Sequence, residues 1–195
     1  MRYGPSVNPA PIFLVVGAPA VGKSTVSRAL AQRFGRSVHI PVDDLRDMVA
    51  AGRILPSPDW SPGLVEQIGL ARRSAIATAI RYADAGFAVV LDDFWDPPGL
   101  LEYGELPDNR PLHRVLLRPH REIALERNYG RHGEDPVRSY LDEGIDLVYG
   151  LYDAAREQLD REGWLVLDNA DLSPDEAAAR IVAEAGLSSA TGEAP

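Results

Sequence analysis

Between Phe13 and Leu30 the chain reads FLVVGAPAVGKSTVSRAL, and inside it Gly17 to Ser24 fits the spacing G-x-x-x-x-G-K-S. No other stretch constrains the fold as strongly. The apolar run before it, IFLVV from Ile12 to Val16, lacks polar alternation and so suits a strand covered on both faces. After it, Val26, Ala29, Leu30 and Phe34 recur at helical spacing, and Gly35 offers a left-handed stop. A buried strand, a glycine-bounded loop and an amphipathic helix are the context in which backbone N–H groups curl around phosphate oxygens at a helix N-terminus.

The basic residues sharpen this reading. Of 20 lysine and arginine residues, Lys23 is the sole lysine. A compact ammonium on a flexible stem follows the β- and γ-phosphates as charge moves between them, whereas a planar guanidinium does not fit such a loop. Nucleotide contacts are therefore expected along Gly17, Ala18, Pro19, Ala20, Val21, Gly22, Lys23, Ser24 and Thr25. The two glycines permit the backbone turns, and the Ser24 hydroxyl is expected on Mg²⁺. The bound nucleotide is expected to be ATP or GTP.

Four more apolar runs follow: VHIPV (38–42), FAVVL (87–91), RVLL (114–117) and WLVL (164–167). From Gly63 to Ala85, the residues Leu64, Ile68, Ala71, Ala75, Ile76, Ile80 and Ala83 form a helical stripe. SPDEAAARIVAEAG opens with Ser173 as cap, Pro174 at the first helical position and Glu176 three residues after the cap, and closes at Gly186. Strands alternating with helices predict one α/β domain over residues 12–186, with helices on both sheet faces and loose tails at 1–11 and 187–195.

In such a sheet, ligands gather beyond the carboxyl ends of the strands, so acids there carry the chemistry. The second run continues into PVDDLRDMV, where Asp43 and Asp44 precede a helical pattern of Leu45, Met48 and Val49. One of them is expected to take the proton of an attacking hydroxyl, with Asp43, nearer the strand, favoured; the alternative is that both merely cap the helix. The third run ends in VVLDDFWDP. Asp92 is the expected partner of Ser24 in holding Mg²⁺, commonly through water. Asp93 and Trp95, with Asp44, Arg46 and Trp60, are assigned to the acceptor pocket, unless the aromatics belong to the core.

After the fourth run, RPHREIALERNYGRHGEDP is dense in arginine. Arg127 and Arg131 are four apart and are expected to clamp the transferring phosphoryl group from a lid spanning about 120–136. Gly130 and Gly133 are its expected hinges; the alternative is a solvated face whose arginines pair with Glu122 and Glu126. After the fifth run, Asn169 is expected to touch the nucleotide base.

Composition removes other classes. With 29 acidic residues and a formal charge of −9, non-specific attraction to nucleic acid and anionic membranes is opposed, which leaves at most recognition of a nucleic-acid end. There is no cysteine for disulfide or thiol chemistry, and the four histidines lack zinc-site spacing. The N-terminus has no secretory pattern and no apolar run is long enough to span a bilayer, so a cytoplasmic monomer or homodimer is expected.

The motif order resembles the small P-loop kinases of the zeta-toxin, chloramphenicol-phosphotransferase and polynucleotide 5′-kinase type, an AAA-type ATP-binding kinase family. GAPAVGKST is similar to their phosphate loop, VDDLRDMV to the segment whose catalytic acid falls at Asp43, and ERNYGR to their lid, with arginines at Arg127 and Arg131. The resemblance covers Ile12 to about Tyr152. It implies a P-loop NTPase fold, a three-layer αβα sandwich with a five-stranded parallel sheet in the order 2-3-1-4-5 and a helical lid. It also implies ATP and Mg²⁺ as cosubstrates and γ-phosphate transfer to an alcohol. The expected acceptor is a small-molecule hydroxyl on an antibiotic, nucleoside or sugar-like compound. Alternatives are the 5′-hydroxyl of a polynucleotide and a non-enzymatic nucleotide-dependent switch.

Overall fold

The five apolar runs become the five strands of a computed structural model, which describes residues 10–55, 60–95, 103–106, 110 and 112–187. Nearly all of both expected tails lies outside the described residues. In chain order the elements are β1 (Ile12–Gly17), α1 (Lys23–Ala31), β2 (Ser37–Pro41), α2 (Val42–Asp47), α3 (Pro62–Asp84) and β3 (Ala88–Phe94). Then come β4 (Leu112–Leu117), α4 (Arg121–His132), α5 (Pro136–Arg161), β5 (Leu165–Leu167) and α6 (Pro174–Glu184).

The strands are all parallel and lie in the order β2-β3-β1-β4-β5, as the resemblance implies. β1 occupies the centre and is buried along its whole length. Its five large apolar side chains, Ile12 to Val16, each contribute roughly 1.5–3 kcal/mol by burial and so anchor the loop that follows. Alternation sorts the strand residues by face. Phe13, Val15, Val90, Val115 and Leu117 pack toward α1 and α6, whereas Leu14, Val16, Val89, Leu91 and Leu116 pack toward α3 and the C-terminal half of α5.

Three boundaries differ from the sequence reading. Val42 opens α2 instead of closing β2, so Asp43 and Asp44 lie within the first helical turn. β3 extends to Phe94, which makes Asp92 and Asp93 strand residues that face opposite sides of the sheet. The long α5 was not foreseen, although its start is well marked: Pro136 sits in the first turn and the Asp135 carboxylate accepts from the Val137 N–H at 2.9 Å. α6 carries the reciprocal Ser173–Glu176 cap expected for it. Among the described residues no helix is long and apolar enough to cross a membrane.

Candidate active site

The loop between β1 and α1 turns at glycines whose backbone angles side-chained residues rarely adopt. At Gly17 (φ 155°) a Cβ would lie 2.7 Å from the Leu117 carbonyl oxygen and 2.9 Å from the Val21 side chain. Gly22 (φ 98°) is the N-cap of α1, and Ala20 holds a left-handed φ of 60° at a cost of about 1–3 kcal/mol. Ala18 and Val21 bury their side chains in the core and offer only backbone, while Ser24 and Thr25 are exposed at the helix start. The loop thus presents main chain, hydroxyls and one ammonium.

Lys23 rests on its own loop, with Nζ donating to the Ala18 carbonyl oxygen at 2.9 Å. Burial pushes its pKa below 10.5; Asp43, Asp92 and Asp93 oppose that shift and Arg131 adds to it. Asp92 is buried on the α1 side of β3, where its Oδ1 accepts from Ser24 Oγ at 3.3 Å and its Oδ2 lies 2.5 Å from His39 Nε2.

Two residues assigned to the acceptor pocket lie elsewhere. Asp93 points to the α3 side, buried against Arg72, whose Nε lies 2.6 Å away. The Tyr103 hydroxyl at 3.0 Å and the Phe94 N–H at 2.8 Å also donate to it. Strand alternation explains this, because adjacent residues cannot both face the loop. Trp95 is only 1% exposed and packs edge-on against Tyr152, with ring centroids 6.1 Å apart; it is a core residue.

Asp43, Asp44 and Arg46 lie on α2, which follows β2 directly, and Trp60 lies just before α3. Pro41 occupies the N-cap of α2, so neither acid is the capping residue. The Asp43 side chain is 60% exposed and accepts from Arg46 at 3.0 Å, whereas Arg46 is 12% exposed. Arg46 also approaches Tyr140 on α5: burial raises that phenol's pKa, and the guanidinium pulls it back. Asp44 is exposed. Trp60 is partly exposed with a left-handed φ of 43°, and its ring lies 6.0 Å from that of Phe94, the residue level with Gly17 in the sheet.

The two lid arginines diverge. Both are on α4, but the Arg127 guanidinium donates to the carbonyls of Val21 (3.3 Å), Asn169 (3.3 Å) and Ala170 (3.2 Å), which ties the helix to the back of the loop. Arg131 is exposed, makes no hydrogen bond or ion pair among the described residues, and is the arginine whose charge reaches Lys23. Asn169, expected at the base, is 3% exposed and braces the loop by donating to the Val21 carbonyl oxygen at 2.9 Å. Gly130 lies inside α4, and Gly133 (φ 56°) ends it.

A family model described as an AAA domain matches residues 12–145, from β1 into α5. The chain belongs to the AAA domain family. No curated protein matches it significantly. Among solved structures, this AAA-domain chain is similar to an unliganded sugar kinase from Janibacter sp. HTCC2649, with a TM-score of 0.64 and 18% identity over 95% of this chain and 100% of that one. It is similar to the tunicamycin resistance protein of Deinococcus radiodurans, with a TM-score of 0.61 and 20% identity over 94% and 99% of the two chains. A shikimate kinase from Bacteroides thetaiotaomicron gives a TM-score of 0.63 and 12% identity over 91% and 99%. At these identities the likeness is one of fold, that of small P-loop kinases.

The residues of this AAA domain fit a nucleoside triphosphate and a small hard cation. Lys23 and Arg131 bring positive charge to the loop, and Ser24 and Asp92 offer oxygens beside it. Among the described residues no group of three or more His, Cys, Asp or Glu side chains forms a metal cage. Mg²⁺ suits such a site, because it is usually held by one or two protein oxygens together with waters and phosphate. His39, Arg72 and Tyr140 were missed by the sequence reading. Of these, only His39 left a signal, since it alternates onto the Asp92 face once β2 is known to pair with β3.

Proposed function

We propose that this chain is a cytoplasmic, ATP-dependent kinase that transfers the γ-phosphate to a hydroxyl of a small, ring-bearing molecule. The observation that carries this reading is the loop in which Lys23 donates to the Ala18 carbonyl and Ser24 donates to the buried Asp92, with the Arg46-bound Asp43 exposed at the start of α2.

In this reading the loop N–H groups and Lys23 hold the phosphates. Ser24 and Asp92 hold Mg²⁺, which when bound neutralises charge on the phosphate oxygens. Asp43, exposed to the crevice and oriented by Arg46, accepts the proton of the acceptor hydroxyl. Arg131 supplies a guanidinium fork to the transferring group, while Arg127 sets the position of α4. Positioning and charge stabilisation do nearly all the chemistry.

Mass spectrometry of an extract of the source cells, incubated with protein and ATP, tests the reading. A metabolite is expected to gain a phosphate with the native chain and not with Lys23→Ala; ATP consumption with no phosphorylated product would overturn it. Trp60 and Phe94 support a ring-bearing acceptor, sugar-like or nucleoside. Trp60→Ala is expected to raise the acceptor KM about 2- to 10-fold, the size of one aromatic contact, and to leave the KM for ATP unchanged. Steady-state rates with each substrate varied in turn check this.

A further inference from the structure

Asp92 is held at both carboxylate oxygens, and one of the two donors comes from outside the phosphate loop. Oδ1 accepts from Ser24 on α1 at 3.3 Å, and Oδ2 faces His39 Nε2 at 2.5 Å. An ionised carboxylate only accepts, so His39 Nε2 carries the hydrogen of that contact. The two side chains are little exposed, 13% for His39 and 8% for Asp92, which keeps competing water away. The register puts His39 beside Val90 and Pro41 beside Asp92, so the imidazole reaches diagonally along the parallel pair from two residues back.

We infer that His39 is a positioning residue that fixes the orientation of Asp92 toward the divalent cation of the nucleotide. This rests on the kinase reading given above. A carboxylate on a strand rotates about its own side-chain bonds, and a donor on one oxygen removes that freedom before the cation arrives. Ser24 cannot do this alone, because its hydroxyl, which can ligate the cation through a lone pair and still donate its hydrogen, holds only Oδ1. The loop supplies the donor on Oδ1, and β2 supplies the one on Oδ2.

The test separates this role from a simple tie between β2 and β3. Affinity for a fluorescent ATP analogue is measured with Mg²⁺ and with EDTA for the native chain, His39→Ala, His39→Gln and Asp92→Asn. His39→Ala is expected to lower the Mg²⁺-dependent gain in affinity about tenfold, the scale of lost outer partners at metal sites, while affinity in EDTA holds. His39→Gln, whose amide can donate from a similar place, is expected to recover most of that loss. Equal losses with and without Mg²⁺ would mean that His39 only ties strands, and the inference fails. An unchanged gain in His39→Ala beside a collapsed gain in Asp92→Asn sinks the inference and leaves Asp92 in its role. An unchanged gain in Asp92→Asn removes the metal assignment of the kinase reading itself.

Discussion

Asp43→Asn is expected to lower phosphoryl transfer by about 10²- to 10⁴-fold, the range of general-base catalysis, with nucleotide affinity held or slightly tightened. The sign of the second effect follows from charge. Asp43 is the carboxylate that Lys23 feels most strongly, so removing it takes a negative charge away from the place where phosphates bind. The amide keeps the shape of the side chain and an oxygen that can still accept from Arg46, so α2 is not disturbed. What disappears is the capacity to take a proton. Asp44→Asn is the matched control one residue further along an exposed first turn, and it is expected to stay near native turnover. Single-turnover transfer and nucleotide titration measure the two quantities separately. Native turnover in Asp43→Asn together with a large loss in Asp44→Asn would move the base to Asp44.

Different parts of this molecule were legible in the sequence to different depths. The phosphate loop was readable because three local signals coincide within Phe13 to Leu30: an unbroken apolar run, glycines at the turns and helical spacing beyond them. The same local logic found α3 and α6; the α6 cap Ser173 sits where the sequence places it, whereas Ser61, the cap of α3, was not read from the sequence. Strand ends were harder. β3 takes in two aspartates because each has a buried partner from another element, His39 for Asp92 and Arg72 for Asp93, and such partners lie 53 and 21 residues away in sequence. Arg127 misled for a related reason. Its spacing from Arg131 fits a clamp, yet the carbonyls it binds belong to the loop and to the segment after β5, which only the folded sheet brings together. Local propensity names the elements, whereas the partners of buried polar groups are set by topology.

The Arg72–Asp93 pair is a place where disturbing that topology is costly. Both side chains are buried, at 1% and 0% exposure, and the guanidinium also lies 5.0 Å from the centre of the Phe94 ring. Removing either partner strands a charge away from water, at a cost of about 3–5 kcal/mol. Arg72→Met or Asp93→Asn is therefore expected to lower Tm by about 6–20 °C for a chain of this length. The double replacement is expected to recover most of the loss, because neither buried charge then remains to be balanced. Thermal and urea unfolding of the two single variants and the double variant check this, and single losses below about 1 kcal/mol would show that water or other groups satisfy the pair's charges. Asp92 is the preceding residue on β3, and the pairing of β3 with β1 and β2 fixes its face independently of the Arg72–Asp93 contact. A folded single variant is thus expected to keep its Mg²⁺-dependent nucleotide binding while its melting point falls.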